Sequence, residues 1–120
     1  MEFHSQRAIF LQIADLLTDG ILEKKWAVGE RIPSVRELAA SIEVNPNTVM
    51  RAYTFLQDQE IIINKRGIGF FVTSDSVERI IQLKKAEFIF HDIPQIAKTL
   101  KLLKLSFEEM ERLLKDQDSK

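Results

Sequence analysis

Arg31-Ile32-Pro33-Ser34-Val35-Arg36-Glu37-Leu38-Ala39, a break at Val44-Asn45-Pro46, and then Asn47-Thr48-Val49-Met50-Arg51-Ala52 form the stretch whose reading decides the fold. Ser34 and Glu37 have the spacing of a capping box, in which the hydroxyl accepts from the N3 amide and the carboxylate reaches back to the Ser34 amide. A helix is therefore predicted from Val35. Val35, Leu38, Ala39 and Ile42 recur at i, i+3, i+4 and i+7, which turns one stripe toward a core and leaves Arg36, Glu37, Ala40 and Ser41 away from it. Asn45 before Pro46 is a second start signal, because asparagine is a strong N-cap and a proline at N1 loses no amide the helix would have used. Only a few residues, Glu43 and Val44 among them, remain for the turn. On the second helix Val49, Ala52, Tyr53 and Leu56 form the buried face, and Asn47, Thr48, Arg51 and Thr54 stay outside. Two short helices joined by a tight polar turn can brace one helix across DNA and offer the next to the major groove. Small polar side chains in a first turn, with an arginine behind them, suit base edges and phosphates approached by a helix N-terminus.

Working outward, the residues before this stretch read as a first helix from Ala8 to about Lys24, with Ile9, Ile13, Leu16, Leu17 and Ile21 on one stripe and Gln12, Asp15, Asp19 and Glu23 away from it. Gly20 counts against that helix, since a mid-helix glycine costs roughly 1 kcal/mol relative to alanine. Trp26 and Val28 are expected to close the core, and Gly29 to make a turn. After the stretch, Ile61-Ile62-Ile63 and Gly69-Phe70-Phe71-Val72-Thr73 flank Asn64-Lys65-Arg66-Gly67-Ile68, the pattern of a hairpin with two adjacent cations near its tip. Alone, Lys65 and Arg66 describe a solvated turn. Directly after two such helices they describe a wing able to lie along phosphates or enter the minor groove.

Composition sets limits on this reading. A chain of 120 residues, 45% of them apolar, suffices for one compact domain with an appendage and is too short for two ordinary domains. It contains no cysteine, which excludes a disulfide framework and thiolate chemistry and fits a reducing compartment. The start, Met1-Glu2-Phe3-His4-Ser5-Gln6-Arg7, lacks a basic region followed by an apolar run, and no apolar stretch approaches the roughly 18 residues of a membrane span. A soluble cytoplasmic protein is expected. Charge argues less for a polyanion than the motifs do: 17 Lys and Arg stand against 18 Asp and Glu. Divided after Asp75, the first part carries 8 cations against 10 anions and the second 9 against 8. Binding to DNA must then rest on a local face gathering Arg31, Arg36, Arg51, Lys65 and Arg66 rather than on a basic domain.

The succession Ile32-Pro33-Ser34-Val35-Arg36-Glu37-Leu38-Ala39, Val44-Asn45-Pro46-Asn47-Thr48-Val49, Arg51-Ala52-Tyr53 with Leu56, and Lys65-Arg66-Gly67-Ile68-Gly69-Phe70-Phe71-Val72 resembles the winged helix-turn-helix of the GntR family of bacterial transcriptional regulators. The resemblance covers about residues 8 to 76, and within the motifs no departure is found, although Ile61-Ile62 stands where many members have a glycine. It implies that Ser34, Arg36, Asn45, Asn47, Thr48 and Arg51, with Lys65, Arg66 and Gly67 of the wing, contact double-stranded operator DNA. A fold class follows: mainly α with a small β-hairpin wing, the winged helix-turn-helix over 8–76 followed by a helical dimerisation region over 77–120.

In that last region Ser74 or Asp75 can cap a helix carrying Val77, Ile80, Ile81, Leu83, Phe88 and Ile89. Pro94 is expected to kink or break it just after Phe90-His91-Asp92-Ile93. Ile96, Ala97, Leu100 and Leu103 continue the apolar pattern, and Ser106 with Glu109 offers a second capping box, opening a helix that buries Phe107, Met110, Leu113 and Leu114. Fewer than fifty residues of helix cannot enclose an ordinary effector domain, but an amphipathic arm without a large core can pair with a copy of itself. The tail resembles the YtrA-type branch of the family, which implies a homodimer through these helices, repression by default, and a target that is often a transporter operon. A two-fold dimer would read a palindrome with half-sites about 34 Å apart. An unidentified small-molecule effector between arm and winged domain stays open, as does an arm that only folds back on its own domain.

Catalysis finds no foothold in the sequence. Glu87 and His91 at i, i+4, with Asp92 and Gln95 nearby, have the spacing of metal ligands, but an ordinary amphipathic surface accounts for them. Gly67-Ile68-Gly69 leads into a strand and so is no phosphate-binding loop. No enzyme activity, cofactor or metal is expected. Two other readings compete: a winged-helix module used for protein contacts without DNA, and an enzyme subunit or metal-binding protein.

Overall fold

The structure, a computed structural model, describes residues 7–118. The first six residues, including His4 and the segment read for a leader, lie outside that range. By its contacts the chain divides into two compact units, Met1–Lys84 and Lys85–Lys120. Its elements in order are α1 (Ile9–Leu22), α2 (Val35–Ile42), α3 (Pro46–Asp58), β1 (Ile62–Lys65), β2 (Gly69–Val72), α4 (Ser76–Glu87), a π-helical turn (Phe88–Asp92), α5 (Ile93–Leu103) and α6 (Phe107–Asp118). The expected class, mainly α with a two-stranded hairpin, is the observed one.

In the first unit, Ile13, Ala14, Leu17 and Ile21 of α1 pack with Leu38 and Ala39 of α2, Val49, Ala52, Tyr53 and Leu56 of α3, Ile62, Phe70 and Val72 of the hairpin, and Ile80 of α4. The buried face of α3 matches the expected residues one for one. That of α1 is turned from the expected one. Ile9 is 59% exposed and Leu16 48%, whereas Phe10 packs on the core, so the true stripe runs through Phe10, Ile13, Ala14, Leu17 and Ile21. Asp15, expected to face away, binds Arg7 at 2.7 Å and also receives the Lys84 ammonium, which fastens α4 to α1.

Gly20 has a packing reason. A Cβ built there would lie 2.4 Å from Cζ3 and 2.8 Å from Cε3 of Trp26, whose ring covers this side of α1. Trp26 thus closes the core as expected, but Val28 does not; it is exposed.

The hairpin is antiparallel, with Ile62 opposite Val72 and Lys65 opposite Gly69. Asn64 and Lys65 therefore belong to β1, and the turn proper is Arg66-Gly67-Ile68. The segment before α2, expected only as a turn, also joins the sheet's edge: Gly29 donates to the Val72 carbonyl at 2.9 Å, Val72 to Glu30 at 2.9 Å and Ile32 to Phe70 at 3.0 Å. At the other end of the hairpin, Thr73 Oγ1 donates to the Glu60 carbonyl at 2.7 Å, and Arg79 binds the Glu60 carboxylate at 2.9 Å.

The second unit keeps the expected helices but gives them no interior of their own. Ser106 and Glu109 form the expected box, Glu109 N donating to Ser106 Oγ at 3.1 Å and Ser106 N to Glu109 Oε1 at 3.2 Å. Yet neither α5 nor α6 has a buried residue, and Phe107, Leu113 and Leu114, expected inside, are exposed, Phe107 at 82%. Before Pro94 the α-helical run is interrupted by the π turn, with no loop between α4 and α5. Lacking an amide, Pro94 sits at the start of α5, and the helix accommodates the missing hydrogen bond by widening into the π turn before it.

Two outcomes follow from this packing. Gly20→Ala is expected to destabilise by about 1–3 kcal/mol in urea unfolding, through collision with the indole, despite alanine's better helix propensity. Glu37 and Glu109 titrate below their ordinary 4.5, each chiefly through the backbone N–H it accepts from the capping serine and then through the serine hydroxyl. A depressed folded pKa adds stability above the unfolded value and loses it as pH falls through the folded one. The double variant Glu37→Gln, Glu109→Gln should therefore unfold at lower urea than the unaltered protein at pH 7, with the gap closing in acid.

Candidate nucleic-acid interface

Three groups of exposed polar residues carry the chemistry expected of the first unit. The first is the start of α2. Ser34 is half-buried; its Oγ accepts from Glu37 N at 3.1 Å while its own amide donates to Glu37 Oε1 at 2.9 Å. The hydroxyl also lies close enough to the Glu37 carboxylate to help hold it ionised, so a phosphate oxygen would have to compete with Glu37 for its proton. Arg36, in the first turn, is exposed. Glu37 also draws Arg31, whose Nη2 lies 3.7 Å from its carboxylate.

The second group begins α3. Asn45 Oδ1 accepts from Asn47 N at 2.8 Å, so the side chain caps the helix and keeps its amide protons for a partner. The chain leaves α2 through Glu43, which takes the left-handed conformation at φ 56° without being glycine. Asn45, Asn47 and Arg51 are exposed and Thr48 is half-buried. The helical period sets Asn47, Met50, Arg51 and Thr54 on one outward stripe. Met50, 45% exposed, was not singled out in the sequence, where its apolar character suggests the core. The guanidinium carbon of Arg51 lies 4.3 Å from the centre of the Phe10 ring.

The third group is the hairpin's end. Ile68 N donates to the Lys65 carbonyl at 2.8 Å to close the turn, and Gly67 at its apex has φ +80°, a conformation side-chain-bearing residues rarely adopt. Lys65, Arg66 and Gly67 are all exposed. The Lys65 ammonium leans over Phe71, 4.4 Å from the ring centre. Among the described residues Arg36, Lys65 and Arg66 are in no ion pair.

One residue frames all three groups. Tyr53 of α3 donates its hydroxyl to the Pro33 carbonyl at 2.5 Å, immediately before the cap of α2, and sets its ring edge-on to Phe70 of the wing at 5.0 Å. Burial, with a smaller push from the Glu37 charge, raises the phenol far above its ordinary range, so it stays a donor. Arg31 adds a second tie. Its backbone pairs with Phe71, and its side chain crosses Gly69, where a Cβ would fall 2.9 Å from Arg31 Nε.

Glu87 and His91 are separated by the onset of the π turn, and among the described residues no three of His, Cys, Asp and Glu gather around one point. No helix among the described residues is long and apolar enough to cross a membrane.

Comparison with known proteins agrees with the architecture. The family described as "Bacterial regulatory proteins, gntR family" matches residues 10–72. A transcriptional regulator of the GntR family from Bacteroides thetaiotaomicron superposes with a TM-score of 0.78 at 44% identity, over 93% of this chain and 97% of that one. The HTH-type transcriptional regulator YhcF of Bacillus subtilis is 34% identical over 91% of this chain and 88% of its own. The HTH-type transcriptional repressor YtrA of the same organism is 37% identical over 63% of this chain and 55% of its own. With a winged helix-turn-helix fold and that family matched over residues 10–72, the chain belongs to the GntR family of bacterial transcriptional regulators.

Proposed function

We propose that the protein is a repressor that binds a palindromic operator as a homodimer, with the winged domain over 8–76 reading DNA and the helices over 77–120 making the dimer. The observation that carries the dimer is the uncovered apolar face of the second unit, where Leu102, Leu103, Phe107, Leu113 and Leu114 are exposed on helices with no buried residue. Isolated exposed leucines need no explanation, but a run of them along two helices calls for a partner surface. A second copy supplies the same face, as two-fold assembly requires.

On the DNA side, Asn47, Thr48 and Arg51 are assigned to base edges in the major groove. Ser34, Arg36 and Asn45 are assigned to phosphates at the two helix starts, and Lys65, Arg66 and Gly67 to the backbone or minor groove beside the wing. Exposure of these side chains, Ser34 and Thr48 being half-buried, and the anchorage of α2, α3 and the wing through Tyr53 support the assignment. Repression is favoured by the name of the Bacillus relative YtrA and by the simplicity of blocking polymerase with a bound dimer. The resemblance to that branch favours a transporter operon as target in the cytoplasm. An effector, if one binds, has no residues assigned to it.

Selection of duplexes from a random double-stranded pool is expected to return an inverted repeat, and loss of inverted symmetry in the selected sites overturns the reading. Against that duplex Arg36→Ala and Arg51→Ala should each cost about 1–3 kcal/mol, with relaxed base preference for Arg51→Ala. Lys65→Ala should weaken all sequences alike and flatten the salt slope by about one. Sedimentation at micromolar concentration should find twice the 13.9 kDa chain mass, and Phe107→Asp with Leu113→Asp should shift it to monomer.

A further inference from the structure

We propose that Phe10 of α1 is a positioning residue for DNA recognition, an aromatic platform that holds the Arg51 guanidinium ready for its base or phosphate partner. The inference rests on the assignment of Arg51 to DNA and deepens it. Phe10 is half-buried against the core, and its ring meets Phe55 edge-on at 6.3 Å and 72°. Phe55 and Asn47 lie four residues to either side of Arg51, so the three share one line along α3. The platform is thus fixed by the core below and by α3 beside it, and the guanidinium rests on it 4.3 Å from the ring centre.

What the contact leaves unused matters as much as what it engages. Among the described residues Arg51 makes no ion pair and no hydrogen bond. A planar guanidinium held through the ring face keeps its N–H donors for bidentate capture of a guanine edge or a phosphate. A free arginine carries rotamer entropy that binding must remove. A side chain already resting on a ring has surrendered part of it before DNA arrives, and no internal carboxylate has to be displaced. Lysine in the same place would gain charge attraction to the ring but no planar fork.

The test is a double-mutant cycle on the duplex recovered by selection with the unaltered protein, read as affinity at two salt concentrations. Phe10→Leu, which keeps apolar volume without a π face, should weaken binding about two- to five-fold. In an Arg51→Ala background the same change should cost nothing further, because its effect passes through Arg51. Phe10→Tyr, which keeps the ring, should restore at least half of the lost affinity. Replacing Phe10 by its pentafluoro analogue, nearly the same shape with the ring's charge distribution reversed, should weaken binding as leucine does while leaving thermal unfolding intact, and it serves if the leucine variant does not fold. Losses that multiply in the double variant, or an analogue that binds as the unaltered protein does, overturn the platform alone. If Arg51→Ala binds the duplex undiminished, the assignment of Arg51 to DNA falls and the platform with it.

Discussion

The phenol of Tyr53 is the contact on which the arrangement of the first unit depends. Its hydroxyl ends on the Pro33 carbonyl and its ring on Phe70, so one side chain of α3 settles where α2 begins and where the second strand of the wing passes. A proline carbonyl at this point has no amide of its own residue to share and precedes a helix whose cap is already occupied by Ser34 and Glu37. The hydrogen bond therefore satisfies an acceptor that the local backbone does not serve, in a partly buried place where leaving it unmet is costly. Because the three groups of exposed polar residues each adjoin one end of this junction, their mutual placement is a consequence of core packing rather than of loop preference.

Electrostatics in this domain work by allocation. Arg7 and Lys84 are taken up by Asp15, Arg79 by Glu60, and Arg31 in part by Glu37, all in structural ties. Arg36, Lys65 and Arg66 have no such anion among the described residues, and Arg51 has an aromatic face instead. A domain with almost balanced formal charge can still present cations where they are needed, provided no carboxylate sits beside them.

Much of this was legible in the residues because helix starts have local chemistry. Ser34 with Glu37, Asn45 with Pro46, and Ser106 with Glu109 each announce a cap by side-chain type and spacing alone, and each begins a helix in the structure. The face of α3 was legible for the same reason: four apolar residues in strict helical period leave no choice of side. The face of α1 was not, since Ile9, Phe10, Ile13, Leu16 and Leu17 offer two overlapping apolar stripes, and only the position of α3 decides between them. Helix ends were harder to see than starts, because Glu43, Lys24, Glu60 and Lys104 adopt positive φ where the usual signal would be glycine. Asp15, Trp26 over Gly20, and Phe10 under Arg51 act through partners distant in sequence, which no window of neighbouring residues contains. The apolar surface of α5 and α6 was visible as a pattern, but which of its residues lie exposed was not, because cover comes from elements distant in sequence.

Pairing the cations of the domain's frame with internal carboxylates has a consequence for how the protein shares its time along a chromosome. Weak, indiscriminate adhesion to DNA grows with the number of phosphates a protein can neutralise, and the genome offers an enormous excess of irrelevant sites. Cations already held by a carboxylate, as Arg7, Arg79 and Lys84 are, contribute little to that adhesion. Less of the protein is then held on unrelated duplex by charge alone.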